Sequence, residues 1–421
     1  MLTMRQKKAV TRELKDRYQR SSKKEKSIIL NGFIQLTGYN RCYACQILNV
    51  KKEKVLGYMN IDGKRLRLVR DKGKIKRKKK KIYDQDVLVT LKEIWKISDY
   101  ICSKRLAPFL SEVIPVLEKY GEINLATKVR EKLFKISAAT IDRLLADTRK
   151  RDRIKGRSTT RPGSLLKKSI PIRTFADWDE KVPGFFEVDL VSHDGGAVRG
   201  DFIQSLNFTD IATGWEEMVA VKNKAQVWVF AGIKRIKGRL PFSILGLDSD
   251  NGAEFINAHL IRYCEEHKIT FTRSRPYWKN DSCFVEQKNW SVIRRAVGYG
   301  RYDTDKELSI LNELYGYLRL YVNFFQPVRK LIKKERIGSK ITKRYDEAKT
   351  PYRRVLESPD IKEEVKVKLK NQYAMLNPAE LKRKITKLQN RLLKLNSLKQ
   401  EARKGIDKST KPLSSFVYIS T

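Results

Sequence analysis

Residues 244–255 read ILGLDSDNGAEF, and this short segment decides how the rest of the chain is interpreted. The apolar run at 244–247 is typical of a buried β-strand. Two carboxylates, Asp248 and Asp250, follow at once and lead into an Asn-Gly pair, which favours a tight turn. These residues alone leave two interpretations open: an Asx-type turn at the end of a strand, or the edge of a metal site.

The composition of the chain limits the class of protein to which it can belong and the kind of partner that it can bind. The chain has 421 residues, 41% of them hydrophobic, which is enough for several folded domains. It carries 91 Lys and Arg against 48 Asp and Glu, a formal net charge of +43, and this favours nucleic acid as the partner. The sequence has no apolar run of about 18 residues, which argues against a membrane-spanning protein. It also has no signal-peptide pattern, so we expect a cytoplasmic location, on a nucleoid or in a nucleus.

Residues 1–60 have helical periodicity and predict a first DNA-binding module. The second of three short helices places Ile28, Ile29, Phe33 and Leu36 on one face, and a Gly/Asn turn precedes the third helix. Helix, tight turn and helix form the outline of a helix-turn-helix module. An ordinary helical hairpin is an equal alternative for these residues.

A basic linker at 61–82 separates this module from a second one. Nine of the twelve residues at 70–81 are Lys or Arg, which is typical of a solvated segment that also contacts phosphate. Residues 83–149 predict a second helical DNA-binding module, in which Ser137 caps a helix of the recognition type. Residues 150–180 are rich in basic residues, Ser, Thr, Gly and Pro, and are predicted to be a linker.

The pattern changes to strands and helices at 181–327. Three alternating segments, beginning with FFEVDLVSH at 185–193, predict antiparallel strands, and helices then alternate with strands. We predict an α/β domain with a mixed five-stranded sheet, in which the strand at 244–247 is apolar on both faces because it lies in the interior. Residues 328–421 are a basic C-terminal region with one amphipathic helix, which either packs by its Ile/Leu stripe or contacts DNA or a partner.

Three acidic residues fall at related places in this domain. Asp189 lies in the first strand, Asp250 at the end of the fourth, and Glu286 on the helix after the fifth, with 35 residues between Asp250 and Glu286. Neighbouring strand ends and a facing helix can bring such side chains together, and clustered carboxylates repel one another unless cations neutralise them. Oxygen ligands without His or Cys suit Mg²⁺ or Mn²⁺. Each residue alone is better explained as a solvated acid, a turn former or an exposed helical charge, whereas the three together, in this order and in a basic chain, favour a site.

The chain resembles the integrase-type DDE transposases of bacterial insertion sequences, relatives of the retroviral integrases with a ribonuclease H-like core. The resemblance rests on FEVDLV, DSDNGAEFIN and FTRSRPYWKNDSCFVEQKNW, and it is strongest over 180–300. It implies that Asp189, Asp250 and Glu286 are the catalytic residues and hold Mg²⁺ or Mn²⁺, as two ions. Asp248 shares a strand face with Asp250 and is its competitor, although the family pattern places the ligand directly before Asn-Gly.

The resemblance also implies an activity and partners. We expect metal-dependent cleavage of double-stranded DNA at the ends of an element and transfer of the freed 3′-hydroxyls to target DNA, by a homo-oligomer assembled on that DNA. A catalytically inert or domesticated DNA-binding protein, or a structure-specific nuclease of the same fold, is the alternative.

The loop before the Glu286 helix combines cations with aromatic residues, which suits a splayed DNA end. A surface loop whose Trp covers the edge of the core is an equal alternative. The cations of the helix itself are expected to contact the DNA backbone. The predicted DNA-binding residues are Arg273, Arg275, Tyr277, Trp278, Lys279, Lys288, Arg294 and Arg295.

Overall fold

The computed structural model describes residues 2–49, 55–61, 64–69, 82–149, 172–173, 182–250, 252, 254–255, 257–274, 283–337 and 339–409. The chain forms two compact units, Met1–Lys80 and Lys81–Thr421. The boundary between them falls inside the predicted basic linker. In the described part of the chain, no helix is both long and apolar enough to cross a membrane.

The first unit contains three helices and a hairpin. They are α1 (Met4–Arg20), α2 (Lys23–Thr37), α3 (Arg41–Asn49), β1 (Val55–Ile61) and β2 (Lys64–Val69). The two strands pair antiparallel. Ser22 caps α2 through a capping box, and Gly38 ends it in the left-handed conformation at φ 68°.

The three predicted helices of this unit are confirmed, but the buried face of α2 differs from the prediction. Phe33 is buried and Ile29 packs against the small core, whereas the side chains of Ile28 and Leu36 are 71% and 58% exposed. Leu30 is buried in their place, because the helix turns it toward Tyr18 and Leu48 of the neighbouring helices. The helical content is therefore as predicted, and the helix-turn-helix function stays a prediction.

The second unit begins with four helices that match the predicted helical segment. They are α4 (Gln85–Ile97), α5 (Ser103–Lys119), α6 (Thr127–Phe134) and α7 (Ala138–Arg149). The Ser137 Oγ accepts a hydrogen bond from the Thr140 N–H at 3.3 Å, so this residue caps α7 as expected. These helices share one hydrophobic core with helices near the C-terminal end of the chain, so they are part of the larger unit.

A mixed sheet forms the centre of the second unit. Its strands are β3 (Ile172–Arg173), β4 (Phe185–Ser192), β5 (Gln204–Asp210), β6 (Glu216–Val221), β7 (Gly246–Ser249) and β8 (Thr270–Ser274). The spatial order is β3-β8-β7-β4-β5-β6. β4, β5 and β6 pair antiparallel, while β4, β7 and β8 pair parallel.

The five longer strands confirm the predicted mixed five-stranded sheet. The sixth strand, β3, comes from the segment predicted to be a linker and pairs parallel with β8. Helices α8 (Gln226–Lys237) and α9 (Ala258–Glu266) connect β6 to β7 and β7 to β8.

After β8 the chain is helical. It forms α10 (Cys283–Lys288), a π-helix (Asn289–Arg294), α11 (Arg295–Val297) and α12 (Asp305–Phe325). The sequence predicts a single α-helix where α10, the π-helix and α11 follow one another. The difference lies in the winding of that helix, since π-helical turns span five residues and often occur at functional sites.

The C-terminal region contains more structure than the one predicted helix. It has an antiparallel hairpin of β9 (Leu331–Ile337) and β10 (Lys340–Tyr345), followed by α13 (Pro351–Glu357), α14 (Glu363–Ala374) and α15 (Pro378–Ser409). The helix α15 is the predicted amphipathic helix. Its side chains of Leu381, Ile385, Leu388 and Leu392 are buried in the same core as α12, so its apolar stripe packs on the protein.

Candidate active site

The central sheet brings the predicted carboxylates to adjacent positions. Asp189 lies in β4, and Asp250 follows the last residue of β7. The two strands are parallel neighbours, with Glu187 paired to Asp248. Because side chains alternate along a strand, Asp189 and Asp250 lie one step further along the same face of the sheet. Glu286 lies in α10, which packs on this face.

The electrostatics of Asp189 show that the three carboxylates interact. Burial raises the pKa of Asp189 well above its ordinary value, and the negative charge of Asp250 raises it further. The Leu190 N–H, which donates to Oδ1 at 2.7 Å, opposes this shift, and the charge of Glu286 adds to it. Carboxylates that hinder each other's ionisation favour a bound cation, which would relieve their repulsion.

Asp250 and Asp248 differ in their access to solvent. Asp248 is 2% exposed, and its Oδ1 accepts a hydrogen bond from the Thr272 hydroxyl at 2.6 Å. Asp250 is half-buried, and its Oδ1 accepts from the Gly252 N–H at 2.9 Å, which forms an Asx-type turn. Asp250 is therefore the more accessible of the two carboxylates, and the choice between them as a ligand stays a prediction.

Two buried glutamates of the sheet fix the helix that carries Glu286. The Glu187 Oε2 accepts a hydrogen bond from the Val285 N–H at 2.7 Å, so a side chain of the central strand caps α10. The Lys288 Nζ lies 2.9 Å from the Glu216 Oε2, and the two side chains are 11% and 0% exposed. Burial raises the pKa of Glu216, and the Lys288 ammonium opposes that shift.

An amide chain positions Asp189 from the other side. The Asn289 side-chain N–H donates to the Asp189 Oδ2 at 2.6 Å, and the Asn207 side-chain N–H donates to the Asn289 Oδ1 at 2.9 Å. Asn207 is fully buried and pairs with Asp189 across β4 and β5. Asn289 is the first residue of the π-helix, so the change of winding begins where the helix contacts the carboxylate.

The predicted DNA-binding residues that the structure describes have partners inside the protein. Lys288 pairs with Glu216, as above. Arg294 donates to the Ser192 carbonyl at 2.8 Å, and its guanidinium lies over the Tyr299 ring. Arg295 lies 3.1 Å from the Asp99 carboxylate. Arg273 is 7% exposed in β8. The remaining four, Arg275, Tyr277, Trp278 and Lys279, lie outside the described residues.

Four residues of the site were not predicted from the sequence: Glu187, Glu216, Asn207 and Asn289. A signal for the first was present, because FFEVDLV alternates and places Glu187 on the same face as Asp189. The others depend on which strands and helices lie opposite each other, and the residue pattern of one segment does not contain that information.

The donor set fits a hard divalent cation by its chemistry, since it consists of carboxylate oxygens without His or Cys. Among the described residues, however, no three His, Cys, Asp or Glu side chains are arranged closely enough to hold a metal ion. Glu286 is exposed and Asp189 is held by Asn289, so the side chains must turn toward one another to coordinate an ion.

A cavity of about 910 Å³ lies behind the same helix. Phe284, Ser291 and Val292 line it from the helix, and Thr209 and Leu318 line it from β5 and α12. The helix therefore has one face on the polar side of the sheet and another on a partly apolar cavity.

Solved structures similar to the chain include retroviral integrases. The catalytic core domain of BIV integrase has 18% sequence identity, covers 40% of this chain and 91% of that chain, and gives a TM-score of 0.27. The HTLV-2 integrase catalytic core domain in complex with magnesium has 13% identity, coverages of 34% and 87%, and a TM-score of 0.26. A simian T-cell lymphotropic virus intasome in complex with PP2A regulatory subunit B56 gamma has 14% identity, coverages of 59% and 76%, and a TM-score of 0.30.

A close match in sequence comes from a bacterium. The uncharacterized protein y4rM of Sinorhizobium fredii (strain NBRC 101917 / NGR234) is 38% identical over 330 residues, which cover 78% of this chain and 89% of y4rM. The chain belongs to the same protein family as y4rM. No protein-family model matches it.

Proposed function

We propose that the chain is a DDE transposase of the integrase type, which cleaves DNA at the ends of a mobile element and joins the freed 3′-hydroxyls to target DNA. The observation that carries this proposal is the geometry of the sheet, in which Asp189 and Asp250 lie at adjacent positions of β4 and β7 and the helix with Glu286 packs against them. The net charge of +43 supports DNA as the substrate.

The two proposed reactions are successive displacements at phosphorus. In the first, a water oxygen bonds to phosphorus while the bond to the 3′-oxygen breaks, which leaves a 3′-hydroxyl and a 5′-phosphate. In the second, that 3′-hydroxyl oxygen bonds to a phosphorus of the target strand and displaces its 3′-oxygen. The proton of each attacking group passes to solvent, and each leaving oxygen takes one up. No side chain forms a covalent bond to DNA in either step.

Asp189, Asp250 and Glu286 would hold divalent cations for these steps. When bound, Mg²⁺ or Mn²⁺ supplies charge stabilisation for the attacking and leaving oxygens. The other polar residues of the site position these ligands. Asn289 holds one oxygen of Asp189, while Glu187 and Glu216 fix the helix that carries Glu286. Because two element ends react together, we propose a homo-oligomer on DNA.

The test uses the DNA that flanks the gene, as a labelled duplex incubated with Mg²⁺ or Mn²⁺. Asp189→Asn, Asp250→Asn and Glu286→Gln should each lower nicking and joining by about 10³-fold or more, as expected when a group that acts as part of a unit is removed. DNA binding should survive in all three. The Asp248→Asn variant should still cleave DNA, because an amide oxygen can accept the hydrogen bond from the Thr272 hydroxyl as the carboxylate does.

One control variant and one contrary outcome make the test decisive. Asp201→Asn changes an exposed loop carboxylate and should have the activity of the unmodified protein. If the unmodified protein binds the flanking DNA and never cuts it with either metal, the transposase proposal is wrong and the chain is a DNA-binding protein.

A further inference from the structure

Trp290 is an exposed aromatic residue on the helix that carries Glu286. Its side chain is 58% exposed, although tryptophan is usually buried to a large extent in a folded protein. The helix buries Val285 and Ile293 on its inner side, so the exposure of Trp290 does not come from a lack of core to pack against. A single exposed apolar residue is ordinary on a protein surface. Trp290 is of interest because of its position near Glu286 on the same helix.

The helix places Trp290 beside the carboxylates. Residues four apart on a helix are neighbours, so Trp290 follows Glu286 on the same side. Helical side chains also lean toward the N-terminus and cover the preceding turn. From this helix geometry we expect the indole to lie toward the turn that carries Glu286. Asn289, the residue before it, contacts Asp189 directly.

The cations of this helix do not share that surface. Lys288 is 11% exposed in its pair with Glu216. Arg294 and Arg295 contact Ser192 and Asp99 within the protein. An aromatic ring, and not a cation, is thus the large side chain that the helix presents next to Glu286. This surface is suited to the face of a base and poorly suited to a phosphate.

We propose that Trp290 stacks on an unpaired base next to the phosphodiester that the site cleaves. The inference rests on the proposed function, because it requires DNA at the carboxylates. It adds a substrate class, namely a DNA end whose terminal base pairs are open. Stacking on an aromatic face is tolerant of sequence, since every base has a π face. Trp290 therefore selects the unpaired state of the end and contributes little to the reading of its sequence.

The experiment measures binding, not cleavage, so that it does not depend on a metal. Fluorescence anisotropy in EDTA compares a blunt duplex with the same duplex carrying three unpaired nucleotides at one end. Trp290→Ala should weaken binding to the unpaired end by about 5- to 150-fold, which corresponds to the loss of one stacked base. Binding to the blunt duplex should change by less than about twofold. Trp290→Phe should retain most of the affinity, because it keeps an aromatic face.

A matched control is available in α8, where Trp228 is 43% exposed. This helix packs on the other face of the sheet, so Trp228→Ala should bind both duplexes like the unmodified protein. The dependence of log K on log salt concentration provides a second readout. Its slope should be unchanged in Trp290→Ala, whereas the loss of a phosphate contact would lower it by about one.

The inference and the proposed function fail in different ways. If Trp290→Ala binds both duplexes normally, or if the unmodified protein does not prefer the unpaired end, the stacking role is wrong. In that case the loss of cleavage in Asp189→Asn would still support the transposase. If Asp189→Asn cleaves normally, the proposed function itself is wrong and the stacking role falls with it.

Discussion

The two faces of the central sheet differ in chemistry although the same strands build them. In β4, Phe186, Val188 and Leu190 point to one face and pack under α8 and α9 in an apolar cluster. Glu187 and Asp189 alternate with them and point to the other face. Polar residues continue across that face, where they are buried or half-buried: Thr209, Glu216, Asn207, Asp248 and Thr272.

Because of this difference, the apolar face mainly stabilises the fold, whereas the polar face carries the residues of the proposed site. Burial of the apolar face stabilises the folded protein by about 25 cal/mol for each Å² of apolar area removed from water. Burial of the polar face stabilises it less, since a buried carboxylate destabilises the fold unless it is paired. The Glu187 Oε1 has no hydrogen-bond partner among the described residues. Proteins retain such local costs mainly at functional sites, and here the costly residues hold the helix that carries Glu286.

The largest expected effect on stability is on the apolar face. Phe208→Ala removes a fully buried ring and should lower the free energy of unfolding by about 3–5 kcal/mol, measured by urea denaturation. The cleavage rate per folded molecule should stay the same. Phe134→Ala is the control, because that ring is 43% exposed, and it should cost less than about 1 kcal/mol. A large fall in the rate of folded Phe208→Ala would contradict the separation of the two faces.

A similar loss of stability, together with a loss of activity, is expected on the polar face. Lys288→Met leaves the Glu216 carboxylate buried without its partner and should lower the free energy of unfolding by about 3–5 kcal/mol. The double variant Lys288→Met/Glu216→Leu should recover most of it. Cleavage should fall in both, since the contact that fixes α10 to β6 is gone.

The control for this pair is an ion pair of similar length at the surface. Lys384 and Glu380 lie 2.7 Å apart with side chains 46% and 50% exposed, so Lys384→Met should cost less than about 1 kcal/mol. Strictly additive effects of Lys288→Met and Glu216→Leu would show that the two buried groups are not coupled.

The smallest expected effect is a fall in cleavage rate when the hydrogen bond between Asn289 and Asp189 is removed. Asn289→Ala removes a hydrogen bond to a carboxylate, worth about 1.5–3 kcal/mol, so the cleavage rate should fall about 10- to 150-fold. The melting temperature should fall too, because this hydrogen bond belongs to the folded state and its loss leaves the fully buried Asn207 amide without that acceptor. Asn223→Ala, in an exposed turn, is the control and should cleave normally. An unaffected rate in Asn289→Ala would mean that Asp189 is positioned without it.

Much of the fold could be predicted from the sequence because each signal was local. The alternation in FFEVDLVSH predicts β4, and the periodicity of the following segments predicts α8, α9 and α12. The assignment to the integrase-type transposases of insertion sequences stays a prediction. In the Asp248–Asp250 segment the Asx-type turn is confirmed at Asp250, whereas the metal site stays a prediction.

The features that could not be predicted depend on contacts between distant segments. The partners of Glu187 and Glu216 are known only once α10 lies on the sheet. Ile28 and Leu36 fit the apolar periodicity of α2, but the small three-helix core buries Leu30 in preference to them. The hairpin of β1 and β2 had a local signal that was overlooked: an Asp-Gly pair between two apolar-alternating runs is typical of a two-residue hairpin turn.

The π-helix has a consequence for changes of chain length. Its hydrogen bonds join residues five apart, whereas those of an α-helix join residues four apart. The segment Asn289–Arg294 therefore contains one residue more than an α-helix of the same length would need. Deletion of the single codon for Ser291 can be absorbed when the segment rewinds as an α-helix, with α11 left in place. Deletion of the codon for Gln287 cannot be compensated in this way, because Gln287 lies in α10, before the π-helix. It would turn Asn289 by about 100° relative to Glu286 and move its side chain away from Asp189, to which it donates a hydrogen bond.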